Sequence, residues 1–91
     1  MRVRWTTSAA NDLAHIVERI REDNPAAAQR VARTIYSGIA ALKRSPYRGR
    51  IGLASDTREL VFAPWPYIAV YEVLDNQVQV LPIRHASQDW P

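Results

Sequence analysis

Ninety-one residues allow one domain. A chain this short buries only about two-thirds of its unfolded surface, so a partner would add to a marginal stability. The lack of cysteine excludes disulfides and thiol chemistry, two histidines without ligand spacing exclude a zinc site, and no apolar run reaches the ~20 residues that cross a bilayer.

A net charge of +3 favours anionic partners only modestly, but eleven of the twelve cations are arginine and Lys43 is the sole lysine. Arginine grips phosphate through two hydrogen bonds; a GC-rich coding sequence would produce the same bias. The N-terminal stretch has no apolar signal-peptide region. With the missing cysteine this predicts a cytoplasmic protein that needs no metal or cofactor.

In chain order, residues 2–5 predict a strand with Val3 and Trp5 on one face and Arg2 and Arg4 on the other. Thr7 or Ser8 is the expected N-cap of a first helix, whose stripe is Leu13, Ile16, Val17 and Ile20, with Asp12, Glu18, Arg19 and Arg21 on the wet side. Asn24 caps a second helix that opens on Pro25, carries Ala28, Val31, Ala32, Ile35, Ile39 and Leu42 inward, and stops before Pro46. Residues 45–56 read as a loop holding Arg48 and Arg50 among glycines. Strands are expected at about 57–63, 67–74 and 77–85, joined by Pro64-Trp65-Pro66 and by a tight Asp75-Asn76 turn, which makes them antiparallel. Pro82 inside the last run predicts a bulge or a free edge, because proline cannot donate to a ladder. The order β-α-α-β-β-β gives an α+β domain, an αα-hairpin packed on one face of a small, mostly antiparallel sheet.

Several motifs resemble one family in order and spacing. They are W-T-x-x-A-x-x-D-L at Trp5–Leu13, the run from Pro25 to Ile35, the Leu42…Pro46…Gly49-Arg50 loop, the Arg58-Glu59-Leu60 triplet, Tyr67-x-x-x-Tyr71 and the terminal His85-x-x-Gln88-x-Trp90. Together they resemble the RelE/ParE superfamily of toxins from type II toxin–antitoxin systems. The resemblance implies a neutralising antitoxin. It also implies one of two actions: ribosome-dependent cleavage of mRNA in the RelE branch, or non-catalytic poisoning of DNA gyrase in the ParE branch.

Metal-free RNA cleavage needs a base, an acid and a cation at the phosphorane. His85, Arg58 and Arg84 are the candidate catalytic residues, with Arg50 a further source of positive charge. Arg48, Arg50 and Tyr67 are candidate nucleic-acid contacts, and Trp65 and Trp90 candidate partner anchors. Each candidate also has a plainer role open to it: Arg58 can snorkel at the sheet rim, and Tyr67 and Tyr71 can serve packing. Outside the candidates, His15 reads as merely exposed and Trp5 as core. Arg84 and His85 are strand neighbours and point to opposite faces unless a bulge near Pro82 breaks the alternation. The scarcity of lysine, and Tyr67 where RelE-type sequences carry arginine, count against cleavage. The sequence reading places mRNA cleavage first and gyrase poisoning second. A degenerate toxin retained only to bind its antitoxin is a third reading. Without a helix-turn-helix pattern here, the antitoxin is expected to supply DNA binding and dimerisation, and separately to neutralise the toxin with an acidic tail that folds on the arginine-rich surface.

Overall fold

The computed structural model describes residues 1–87. The chain runs β1 (Arg2–Trp5), α1 (Thr7–Asp23), α2 (Pro25–Ala40), a 3₁₀ turn at Ala41–Lys43, β2 (Arg50–Ile51), β3 (Arg58–Val61), β4 (Tyr67–Leu74) and β5 (Gln77–His85). The sheet order is β1-β5-β4-β3-β2, with β1 parallel to β5 and every other pairing antiparallel. Two helices on one face of a mostly antiparallel sheet make the α+β architecture expected. The expected loop 45–56 contributes one further, two-residue strand, because β3 offers a free edge on which Arg50 and Ile51 pair with Glu59 and Arg58.

The helix boundaries reflect their caps. Asn24 Oδ1 accepts the Ala27 amide at 3.0 Å, and Pro25 occupies the first turn, as its missing N–H allows. The cap of α1 is Thr6 rather than Thr7 or Ser8. Its hydroxyl accepts the Ala9 amide at 3.1 Å and donates to the Val80 carbonyl at 2.8 Å, so one side chain both starts the helix and ties it to β5. Asp75 and Asn76 form the β4–β5 turn with φ of 48° and 62°, left-handed values that these two residue types tolerate.

Leu13, Ile16 and Ile20 of α1, with buried Val31, Ile35 and Ile39 of α2 and Leu42 just beyond it, pack on Leu60, Phe62, Ala69, Tyr71, Val78, Val80 and Ile83. Each fully buried Val, Ile or Leu among them contributes roughly 1.5–3 kcal/mol, and the half-buried Leu13, Ile16 and Ile20 less. Val17 turns instead to the groove between the helices. Gly38 lets α2 settle on β3's extension, since a Cβ there would stand 2.8 Å from the Phe62 ring.

Register sets the face that each β5 side chain takes. Ala69 pairs with Ile83 and Tyr71 with Val80, so β5 spends three residues where β4 spends two. The bulge therefore lies at Leu81-Pro82, where proline was expected to interrupt the ladder. It inverts the alternation: Val78 and Val80 face the helices, and beyond the bulge Ile83 and His85 do so, leaving Arg84 on the opposite face. Asp12, expected on the wet side of α1, accepts the Ile83 amide through Oδ2 at 2.9 Å and so caps the strand just past the break.

Candidate functional site

The face of the sheet away from the helices carries a three-residue charge network. Glu59 alternates with the core residue Leu60 and so points away from the helices; it is 3% exposed. Its Oε1 accepts Arg50 Nε at 2.9 Å and lies 2.9 Å from Arg50 Nη2. Its Oε2 lies 3.5 Å from Arg84 Nη2 and accepts the Leu53 amide at 3.4 Å. Burial pushes the Glu59 carboxyl pKa up, but the hydrogen bonds from Arg50 and Leu53 and the charges of Arg50 and Arg84 outweigh it and hold the group below its ordinary 4.5. Arg84 is itself only 8% exposed, whereas the Arg50 side chain stands more than half in solvent. Sequence reasoning passed over Glu59; the available signal was a lone acid between Arg58 and Leu60, on the strand face opposite the apolar stripe.

Arg58 lies on the other face, beside Tyr71. Its Nη1 donates to the carbonyls of Gly49 at 2.8 Å and Tyr47 at 3.1 Å, and its guanidinium covers the Tyr47 ring at 5.1 Å. The fully buried Tyr71 closes the same loop: its hydroxyl donates to the Pro46 carbonyl at 2.8 Å and accepts the Gly49 amide at 2.9 Å. A Cβ at Gly49 would stand 2.6 Å from that hydroxyl, so this glycine's close approach is made to the protein's own tyrosine. Burial raises the Tyr71 pKa above 10.0, against the Gly49 N–H and the charges of Arg58 and Arg48. Arg48 is exposed at the loop surface.

His85 ends β5 on the helix side. Its Nδ1 lies 2.7 Å from Ser87 Oγ and accepts the Ser87 amide at 3.2 Å, and its ring meets half-buried Tyr67 edge-on at 5.7 Å. His85 and Tyr67 share a cleft of about 160 Å³ with Asp12, His15, Ile16 and Arg19 of α1 and with Ile83. Ordinary alternation beyond the bulge parts Arg84 from His85, and the bulge decides that His85 is the one brought to His15 and Arg19. Residues 12, 15 and 19 recur at helical spacing beside the apolar stripe, so this gathering was partly written in the periodicity. Trp65 and Trp5 both pack half-buried against the core, and Trp5 also stacks on Tyr36 at 6.2 Å. Trp90 lies outside the described residues. Among those residues no group of three or more His, Cys, Asp or Glu side chains is placed to hold a metal, and no helix is long and apolar enough to cross a membrane.

Residues 3–90 match the family described as ParE toxin of the type II toxin–antitoxin system parDE. The chain is 42% identical over 90 residues to the protein Y4kP of Sinorhizobium fredii, covering 99% of this chain and 93% of that one. It is 40% identical over 84 residues to Toxin RelE2 of Caulobacter vibrioides, covering 92% and 93%. In three dimensions it is similar to a chain of the chromosomal ParDE system from P. aeruginosa, with a TM-score of 0.86 and 26% identity over 96% of this chain and 97% of the other. The RelBE2 toxin–antitoxin complex of Mycobacterium tuberculosis contains the same fold, at a TM-score of 0.64 and 23% identity over 92% and 95%. The helical hairpin on its bulged sheet and the match along nearly the whole length have one source: this chain belongs to the ParE toxin family of the RelE/ParE superfamily.

Proposed function

We propose that this toxin acts by binding a protein, DNA gyrase, rather than by cutting RNA, and that a cognate antitoxin neutralises it. The carrying observation is the separation of the cleavage candidates. Arg84 is buried against Glu59 on one face, His85 ends β5 on the other, and Arg58 spends two donor contacts on loop carbonyls. A phosphorane needs its acid, base and cation around one reacting atom, within hydrogen-bond reach. An antitoxin fits the apolar groove between α1 and α2, lined by Trp5, Leu13, Ala14, Val17, Ala32 and Tyr36, into which an amphipathic helix can lay its apolar face.

Ribosome-dependent mRNA cleavage is the second reading. It is favoured by the 40% identity to a protein named Toxin RelE2 and by the exposed Arg48 and Arg50. Expression without antitoxin separates the two. The binding reading expects trapped gyrase–DNA complexes and filamentation while primer extension finds translated message intact. Cuts confined to ribosome-positioned codons, and lost in His85→Gln or Arg58→Ala, would reverse the order.

A further inference from the structure

We propose that the cleft between α1 and the end of β5 is a phosphate-binding site, in which Arg19 supplies the fork, the imidazole of His15 supplies a further donor, and His85 lines the wall. Two independent features build it. Helical spacing sets Asp12, His15 and Arg19 along one side of α1, and the Leu81-Pro82 bulge turns His85 towards them instead of towards the Glu59 network.

The state of the other arginines argues for this place. Arg50 and Arg84 face Glu59, and Arg58 is taken by the Gly49 and Tyr47 carbonyls. Among the described residues Arg19 and His15 carry neither an ion pair nor a side-chain hydrogen bond. Asp12 is the carboxylate lining the cleft, and its Oδ2 is held by the Ile83 amide. Tyr67 walls the far side, edge-on to His85. A space of about 160 Å³ suits a single oxyanion group rather than a stacked base, and a tetrahedral phosphate can take the bidentate guanidinium and an imidazole N–H on different oxygens. The group can be a free phosphate or one phosphate of a nucleic-acid strand.

The test uses the ¹⁵N-labelled full-length chain, titrated at constant ionic strength with inorganic phosphate and separately with a short single-stranded oligonucleotide. Saturable shifts confined to His15, Arg19, Tyr67 and His85 are expected with at least one of the two. Arg19→Ala and His15→Gln are exposed helix positions whose loss leaves melting intact, and each should weaken binding about tenfold. Arg33→Ala, an equal charge change on exposed α2, should alter it less than about twofold. Tighter binding of the oligonucleotide, with a salt slope, assigns the site to a strand backbone; tighter binding of inorganic phosphate assigns it to a small anion. Shifts that spread over all arginines, that fail to saturate, or that Arg33→Ala suppresses as strongly as Arg19→Ala would overturn the proposal.

Discussion

Glu59 shows how much one side chain can decide. A carboxylate withdrawn from water costs several kcal/mol unless its lone pairs are filled, and here two guanidinium groups and an amide fill them. The partners are not equivalent. Arg84 is buried, so Arg84→Ala leaves Glu59 short of a charge inside the protein and should cost about 3 kcal/mol in urea denaturation. Arg50 reaches in from solvent, where screening limits an ion pair, and Arg50→Ala should cost about 1 kcal/mol or less. Because the folded pKa of Glu59 lies below 4.5, its contribution is present above that pH and lost as pH falls through the folded value. Glu59→Gln should therefore reduce stability at pH 7 and flatten the acid limb of the stability profile. Tyr71 runs the other way. Its raised pKa means a contribution complete below pH 10.0 and lost as pH rises through the folded value. Tyr71→Phe strands the buried Gly49 amide, and should cost about 1–3 kcal/mol, remove part of the alkaline loss, and speed hydrogen exchange at Gly49.

Among the elements, β5 carries the consequence. Its two halves face the helices with opposite parity, and one extra residue at Leu81-Pro82 makes the change. Deleting Leu81 removes the extra residue, keeps Ile83 and His85 on the helix side with Arg84 opposite, and sets Pro82 across from Val70, where it has no N–H to give the ladder. The lost bulge should cost about 1–3 kcal/mol and loosen the Asp12–Ile83 contact, which faster amide exchange at Ile83 reports. The short β2 has a different cause. It exists because Tyr71 and Arg58 hold residues 46–49 from one side while Glu59 draws in Arg50 from the other.

For the molecule as a whole, the helical hairpin serves two surfaces. Its inner stripe closes the core. Its outer groove, with Tyr36 62% exposed over Trp5, leaves apolar area for a partner. Tyr36→Asp places a charge in that groove without touching the core, and should weaken antitoxin binding at least about tenfold by calorimetry while leaving the melting of the free chain nearly unchanged. Basic charge is distributed rather than pooled: Arg50 and Arg84 face Glu59, Arg58 is held by loop carbonyls and Tyr47, Arg21 pairs with Glu18, and Arg19 carries no ion pair among the described residues.

The amino-acid sequence by itself determined what depends on near neighbours. The Asn24-Pro25 junction, the two apolar helical stripes and the Asp75-Asn76 turn were legible because caps, 3.6-residue periodicity and left-handed turn residues act within a few positions. Pro82 announced a break in β5 for the same reason, through its missing donor. Which way that break turned Arg84 and His85, and that Glu59 gathers arginines from β2 and β5, were decided only in the tertiary structure. Those outcomes depend on cross-strand register between segments far apart in the chain, and a one-residue change in register exchanges the two faces of everything beyond it.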